Sequence, residues 1–231
     1  EPHQVLTAST GVIGQQLSLL KIISGVPDLI KRASEDADNF SLAILTTDLV
    51  PKTETKDVQL SQGKIRITGV CKGSGMIHPN MATMLGYVFT DVKLSPEKAQ
   101  SFLKKAVDLS FNRISVDGDC STNDTVFLMA NGTAQVDLAN SKDEETFFQS
   151  LVDVCQALAQ KIAIDGEGAT KLIEVQLRNA PSQELADKAS RGITISPLIK
   201  TAVHGEDPNW GRILARLGAE GVPSQCIEKM Q

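Results

Sequence analysis

The stretch VQLSQGKIRITGV, residues 58–70, decides the fold class of this chain. Apolar and polar side chains alternate on both sides of a short polar turn that contains Gly63, and this is the pattern of a β-hairpin. Residues 84–92 follow with little polar face, which favours a largely buried strand beside the hairpin. The sequence therefore predicts a sheet that begins with antiparallel strands.

The segments around this hairpin alternate between helical and strand patterns. Apolar residues at intervals of three and four predict helices at 12–33, with a kink or break near Gly25 and Pro27, and at 144–164. The Ser-Pro-Glu sequence at 95–97 predicts the start of a helix that runs to about 110, and a further helix is expected at 183–191. Further strands are expected at 42–46, 114–116, 125–130 and 171–177, with a loop at 47–57. Because hairpins are mixed among the helices, we expect an α/β layered mixed-sheet fold and not a doubly wound parallel sheet.

The composition is typical of an ordinary soluble globular protein. Of 231 residues, 41% are hydrophobic and 22% are charged, and the formal net charge is −5. No dense basic cluster is present, which argues against a nucleic-acid partner. No apolar run approaches the ~20 residues of a membrane span, and the first residues do not have a signal-peptide pattern. We therefore expect a cytoplasmic protein with no membrane partner.

Several motifs that could carry chemistry fail on inspection. The glycines near Lys72 and Lys171 do not have the order of a phosphate loop, and residues 117–128 lack the glycine and glutamate of a calcium loop. The four cysteines and three histidines have neither zinc-site spacing nor support for a Ser-His-Asp triad. We expect no metal site.

What remains is a set of turns rich in Gly, Thr and Asn, and each has a plain structural alternative. Thr10 and Gly11 could cap the first helix, Thr83 could be a β-branched residue entering a strand, and Lys72 or Glu167 could be solvated charges. Taken singly, these residues indicate only an α/β protein with enzyme-like turns.

Taken together, the turns resemble the glutamate N-acetyltransferase and ornithine acetyltransferase family of arginine biosynthesis. The matching stretches occur in family order: STGVIG at 9–14, TTD at 46–48, KGSGMIHPNMATML at 72–85, VDGDCSTNDT at 116–125, DGEGATK at 165–171 and HGEDPNWGRI at 204–213. The resemblance implies a fold of the self-processing ornithine acetyltransferase and N-terminal nucleophile aminopeptidase type. Family members are longer at both ends, so we expect this chain to be a piece of such a protein.

The resemblance implies that the precursor cleaves its own Ala82–Thr83 bond. Residues 1–82 would then be the C-terminal part of an α chain, and residues 83–231 the N-terminal part of a β chain. Thr83 would be the catalytic nucleophile, with its new α-amino group as the base, since such a group has a pKa of about 7.7–8.0. The Thr10 hydroxyl and the Gly11 N–H would form the oxyanion hole.

The implied reaction is a ping-pong transfer of acetyl from N-acetylornithine to glutamate. By motif position, Thr46, Lys72, Thr83 and Glu167 would bind these substrates, with Thr47 as the alternative to Thr46. No cofactor is implied, and acetyl-CoA stays open as a co-substrate. The implied partners are the chain's own processed half and further copies of the α/β unit; in a eukaryote the location would be the mitochondrial matrix. Two other readings stay open: an N-terminal nucleophile amidohydrolase or aminopeptidase, and an inactive structural fragment.

Overall fold

The computed structural model describes residues 5–32, 38–78 and 84–228. Within these ranges the helices are α1 (Leu19–Lys31), α2 (Asp38–Ala43), α3 (Pro96–Asp108), α4 (Ser141–Ile164), α5 (Gln183–Ile195), α6 (Pro197–His204), α7 (Trp210–Ala219) and α8 (Ser224–Ile227). The strands are β1 (Lys52–Leu60), β2 (Gly63–Lys72), β3 (Leu85–Thr90) and β4 (Thr125–Ala130). Ala82 and Thr83, the expected cleavage site, lie outside the described residues.

The four strands form one mixed sheet in the order β1-β2-β3-β4. β1 and β2 form the predicted hairpin, closed where Leu60 faces Gly63. β3 pairs antiparallel with β2 and parallel with β4. Helices and a mixed sheet thus share one layered unit, and the predicted α/β class is confirmed.

Helix α4 covers one face of the sheet and forms the main core with it. Its buried side chains, Leu151, Val154, Leu158 and Ile162 among them, pack with the inward residues of β1, β2 and β3. The helix approaches β2 so closely that a Cβ on Gly69 would lie 2.5 Å from Leu158 Cδ1. Only glycine at this position allows α4 to approach β2 this closely.

The helix starts follow local capping chemistry. Ser95 accepts a hydrogen bond from the Lys98 N–H at the start of α3, as the Ser-Pro-Glu sequence predicts. Asn140 does the same for Asp143, so α4 begins a little before the expected residue 144. The predicted helices at 95–110, 144–164 and 183–191 are confirmed in outline.

The C-terminal helices α5 to α8 form a second, smaller core. Ala189, Ile193, Ile199, Leu217 and Val222 are buried together there. Helices α6, α7 and α8 were not anticipated from the sequence. They are short, and short helices show few turns of apolar periodicity.

The first helix differs from the prediction of residues 12–33. Gly14 has φ +82°, and Gln15 donates to the Val12 carbonyl in a turn, so regular helix starts only at Leu19. The helix runs on through Pro27 instead of breaking there. None of its residues is buried, and its apolar side chains are exposed.

The expected strand at 42–46 is wrong. Helix α2 ends at Ala43, and the Leu45 N–H donates to the Leu42 carbonyl in the turn that follows. The expected loop at 47–57 is also partly wrong, because β1 starts at Lys52 despite its polar composition. Among the described strands it pairs only with β2, and α4 packs against one of its faces, so its polar side chains alternate on the other face.

Two further expected strands are absent from the described residues. Residues 114–116 follow a 3-10 turn at Phe111–Arg113: the Ile114 N–H closes that turn on the Phe111 carbonyl, and the Val116 N–H donates to the Ile77 carbonyl. Residues 171–177 alternate in burial but pair with no strand in the described ranges, although Val175 and Leu177 pack on the second core. Alternating burial shows that an extended segment has one buried and one exposed face. Such a segment belongs to a sheet only when a neighbouring strand is hydrogen-bonded to it. None of the described helices is long and apolar enough to cross a membrane.

Candidate functional site

Several of the turns that carry the resemblance meet at one edge of the sheet. Lys72 at the end of β2 is paired with Leu85 at the start of β3, and Leu85 is paired with Thr125 at the start of β4. This follows from the strand directions, because β3 runs antiparallel to β2 and parallel to β4. The end of one strand and the starts of two others therefore bring three separate stretches of sequence to the same edge.

Lys72 and Thr46 are in direct contact at this edge. The Lys72 ammonium donates a hydrogen bond of 3.2 Å to Thr46 Oγ1. Burial lowers the pKa of Lys72, and the carboxylates of Asp48 and Asp124 act in the opposite direction. The bond favours Thr46 over its neighbour Thr47 as the partner of this lysine. Lys72 is half-buried, which distinguishes it from a freely solvated charge.

A buried ion cluster lies next to this edge of the sheet and links the segments that form it. Lys52 is fully buried, and its ammonium lies 2.7 Å from Asp48 Oδ1 and 2.6 Å from Asp165 Oδ2. Burial alone would raise the pKa of Asp48, but the hydrogen bonds from Lys52 and from the Gly73 N–H outweigh it and lower that pKa. The cluster joins β1, the 46–50 turn and the end of α4.

The turn after Lys72 is held by side chains from three distant segments. The Gly73 N–H donates to Asp48 Oδ1 at 2.6 Å, and Ser74 Oγ donates to the Asp165 carbonyl at 2.8 Å. Asp117 accepts from the Met76 and Ile77 N–H groups at 2.6 and 3.0 Å. The turn at residues 73–77 is therefore anchored to three other parts of the fold.

Glu167 reaches the same turn from the end of α4. Its N–H donates to the Ser74 carbonyl at 3.0 Å, and its carboxylate stands so close to Gly75 that a Cβ there would collide with Oε2. Glu167 is exposed, and it lines a groove of about 1200 Å³ that extends over residues 167–175 toward α5. The lining of this groove includes Glu167 but neither Lys72 nor Thr46.

Asp124 lies at the same edge and has an unusual environment. Both of its carboxylate oxygens are shielded from solvent, and neither has a hydrogen-bond partner among the described residues. Burial raises the pKa of Asp124 to about 6, against smaller lowering effects of the Met84 N–H and the Lys72 charge. The Met84 N–H is thus near this carboxyl without forming a regular hydrogen bond to it.

In the described part of the chain, the expected oxyanion-hole residues are not hydrogen-bonded to these candidate substrate-binding residues. Across residues 5–32, 38–78 and 84–228, no hydrogen bond joins Thr10 or Gly11 to Lys72, Thr46 or Glu167. Thr10 is half-buried and Gly11 is exposed. The N-cap of α1 is Ser18, so the alternative that Thr10 and Gly11 cap this helix is wrong.

Sequence reasoning missed Asp48, Lys52, Asp124 and Asp165 as parts of this edge. Three of these residues, Asp48, Asp124 and Asp165, lie inside the quoted stretches TTD, VDGDCSTNDT and DGEGATK. The sequence motifs therefore include them, but the motifs alone assign them no part in the site. Lys52 had no signal, since it looks like a loop residue after Pro51. In the described part of the chain, no group of three or more His, Cys, Asp or Glu residues is arranged to hold a metal.

Comparison with known proteins identifies the family. The sequence model of the ArgJ family matches residues 1–230. This chain belongs to the ArgJ family. The resemblance read from its turns is confirmed by this match, which runs through every one of them.

Curated ArgJ relatives support the same assignment. The arginine biosynthesis bifunctional protein ArgJ of Chlorobium chlorochromatii is 49% identical over 222 residues, 96% of this chain and 52% of that protein. Its counterpart in Thermotoga neapolitana is 48% identical over 225 residues, 95% of this chain and 56% of that protein. The chain thus spans about half the length of the curated relatives it matches.

A solved structure agrees with the fold. The crystal structure of the arginine biosynthesis bifunctional protein ArgJ from Bacillus halodurans is 43% identical and has a TM-score of 0.56. The match covers 58% of this chain and 64% of that chain. The layered α/β unit described above is therefore an ArgJ architecture.

Proposed function

We propose that this chain forms the nucleophile-bearing part of an acetyltransferase that moves acetyl from N-acetylornithine to glutamate. The precursor cleaves its own Ala82–Thr83 bond, and Thr83 then carries the acetyl group as an ester. The full ArgJ relatives are named as bifunctional proteins of arginine biosynthesis, which supports a role in that pathway. Acetyl-CoA is a second donor to be tested.

The observation that carries the proposal is the contact of Lys72 with Thr46. Both residues come from stretches assigned by resemblance to substrate binding, and they meet through a 3.2 Å hydrogen bond although they lie far apart in the sequence. N-acetylornithine and glutamate both carry α-carboxylates. A half-buried ammonium with a hydroxyl neighbour suits such a group, because hydrogen bonds that involve a charged group are stronger than those between neutral groups.

Glu167 supplies the opposite charge beside the same turn. Its negative charge suits the side-chain ammonium of the donor. Glu167 is exposed and lines the groove described above, so a ligand can reach it. A lysine for the α-carboxylate and a glutamate for the distal ammonium together select a molecule charged at both ends, as N-acetylornithine is.

The chemistry needs a hydroxyl, a base and donors for an oxyanion. Cleavage makes Thr83 a chain terminus, so that its α-amino group takes the hydroxyl proton while Oγ attacks the acetyl amide. The amide C–N bond then breaks, and ornithine leaves with that proton on its amine. The Thr10 hydroxyl and the Gly11 N–H are proposed to stabilise the tetrahedral oxyanion. Glutamate then takes the acetyl group from the ester, which frees Thr83 for the next cycle.

The decisive experiment uses the full-length protein, expressed from its complete coding sequence. Denaturing mass spectrometry is expected to show two chains, one ending at Ala82 and one beginning at Thr83. Incubation with N-acetylornithine and glutamate is expected to yield ornithine and N-acetylglutamate in equal amounts. Release of free acetate without N-acetylglutamate would instead show a hydrolase.

Variants of Thr83 and Thr10 separate the proposed roles. Thr83→Ala is expected to abolish both cleavage and transfer, whereas Thr83→Ser keeps part of each because the hydroxyl survives. Thr10→Ala is expected to slow transfer by about 10²–10³-fold, the usual effect of losing one oxyanion donor, while the melting temperature stays unchanged. Thr133→Ala, at an exposed threonine after β4, is the matched control. Normal processing of Thr83→Ala would remove Thr83 from its role.

A further inference from the structure

The neighbouring residues Gly75 and Met76 reverse the usual placement of glycine in a tight turn. Met76 has φ +52°, in the left-handed region that favours glycine, whereas the φ of Gly75 lies outside that region. The backbone conformation at position 75 therefore gives no reason for a glycine. The other use of glycine is to let a neighbouring group come close to the backbone.

The group that comes close to Gly75 is the side chain of Glu167. A Cβ at position 75 would lie 3.9 Å from the Glu167 Cβ and 3.6 Å from its Cδ, and it would collide with the carboxylate oxygen Oε2. These are the three heavy atoms nearest to that point. The Glu167 carboxylate thus occupies the space that a side chain at position 75 would fill.

Hydrogen bonds hold the backbone on both sides of this contact. The Glu167 N–H donates to the Ser74 carbonyl at 3.0 Å, and the buried Ser74 hydroxyl donates to a carbonyl at the end of α4 at 2.8 Å. After Gly75, the Met76 N–H donates to Asp117 Oδ2 at 2.6 Å. Because these bonds fix both backbones, the direction of the Glu167 side chain depends on the room beside Gly75.

Resting on the function proposed above, we propose that Gly75 is a positioning residue that sets the donor specificity through the direction of the Glu167 carboxylate. The missing side chain at position 75 lets the carboxylate lie against the turn, in the orientation that receives the distal ammonium of N-acetylornithine. A side chain at this position turns the carboxylate away. The enzyme then loses its preference for a donor with a positive charge at that end.

A role of Gly75 in core packing alone fits the contacts less well. The atom that an added Cβ would meet is the end of a flexible and exposed side chain, so a methyl group displaces the carboxylate and not the core. Gly69 differs in this respect, because a Cβ there would press against the buried Leu158. Gly75→Ala is therefore expected to keep the fold and to change the direction of the Glu167 side chain.

The test compares two acetyl donors on the processed full-length enzyme, with glutamate as the acceptor. N-acetylornithine has a distal ammonium, and N-acetylnorleucine has a methyl group in the same place. The wild type is expected to prefer N-acetylornithine in kcat/KM, and Gly75→Ala should reduce this preference by about tenfold or more, because a hydrogen bond between charged groups is lost. The change should appear in KM for N-acetylornithine, while the values for N-acetylnorleucine stay as in the wild type.

A double-mutant cycle tests whether Gly75 acts through Glu167. Glu167→Gln keeps the shape of the side chain without its charge, so this variant should itself lose the preference for N-acetylornithine. Adding Gly75→Ala to it should cause no further loss. Gly218→Ala in α7, where a new Cβ meets nothing within 4 Å, is the control and should keep the wild-type preference. Circular dichroism shows whether each variant is folded.

Each outcome has a definite meaning. The wild-type preference in a folded Gly75→Ala enzyme would overturn the inference and leave the proposed function standing, and so would a further loss in the Glu167→Gln background. Absence of transfer, or of any donor preference in the wild type, would instead contradict the proposed function. If Gly75→Ala does not fold, Glu167→Asp is used, because it draws the carboxylate back from Gly75: a lost preference supports the inference, and a retained one overturns it.

Discussion

The Lys52 ammonium lies 2.6 Å from an Asp165 carboxylate oxygen, which fastens the first residue of β1 to the end of α4. The same ammonium binds Asp48, whose other contacts position Gly73 and Thr46. One buried cation thus connects the sheet to both turns that contribute to the candidate site. Its removal would leave two buried carboxylates without a counter-charge.

Lys52→Met is therefore expected to lower the free energy of unfolding by about 3–5 kcal/mol, the usual cost of removing one partner from a buried ion pair. Lys56→Met is the matched control, because Lys56 pairs with Asp153 near the surface, where such pairs contribute about 0–1 kcal/mol. Urea unfolding of the two full-length variants measures the difference. Equal stability of both variants would show that the Lys52 cluster is not a structural support.

The close approach of α4 to β2 at Gly69 gives a second stability prediction. Gly69→Ala would place a Cβ 2.5 Å from Leu158 Cδ1 and 3.1 Å from Val154 Cγ1. Overpacking of a dense core typically costs about 1–3 kcal/mol, so the variant should unfold at lower urea concentration.

The control for Gly69 is Gly218→Ala in α7. A Cβ there meets nothing within 4 Å. Alanine in a helix without strain stabilises by about 0.4–1 kcal/mol through the unfolded state. Opposite signs for the two Gly→Ala changes are expected, and a neutral Gly69→Ala would contradict the packing described for α4.

The parts of the fold that sequence could predict are those set by local pattern. Residues 58–70 have strong alternation and a short turn, and α3 has a serine cap, so the hairpin turn and this helix are predicted near their observed places, whereas the first half of β1 is not. Residues 171–177 show the limit of this reasoning. Their alternation is real, but no strand in the described residues pairs with them, and pairing is a property of the neighbour.

The candidate site was predictable as a set of motifs but not as a geometry. Lys72 and Thr46 could be named from their stretches, yet their contact depends on the buried Lys52, which has no signature in the sequence. Asp124 could not be found either, because its distinction is a lack of partners among the described residues. Such a property exists only once the chain has folded around it.

Lys72 gives a prediction for substrate affinity. Lys72→Met is expected to raise KM for both N-acetylornithine and glutamate by about tenfold to a hundredfold, since a hydrogen bond to a charged group contributes about 1.5–3 kcal/mol. Thr46→Val should have a smaller effect in the same direction, because it removes only the hydroxyl that holds the lysine.

The control for this series is Lys104→Met, at an exposed lysine of α3. Steady-state kinetics on the processed full-length enzyme, with each substrate varied in turn, provides the measurement. Unchanged KM values for both substrates in Lys72→Met would contradict a carboxylate-binding role, and a fall in the melting temperature alone would assign this lysine to folding.

The raised pKa of Asp124 predicts a pH-dependent stability that is independent of any reaction. The carboxyl binds its proton more tightly in the folded state, with a pKa of about 6, than in the unfolded chain, where it is about 3.9. Its contribution is therefore most favourable below about pH 3.9 and is lost as the pH rises through 6. Asp124→Asn carries no ionisable group there, so it should gain stability relative to the parent as the pH rises from 4 to 7.5.

This comparison is made in a Thr83→Ala background, which under the proposed function keeps every sample as one intact chain. Urea unfolding at pH 4 and pH 7.5 gives the stability difference between the parent and the Asp124→Asn variant at each pH. Asp119→Asn should show no comparable change, because its carboxylate is exposed. A difference that stays constant across this range would mean that the Asp124 carboxyl ionises in the folded protein as it does in the unfolded chain.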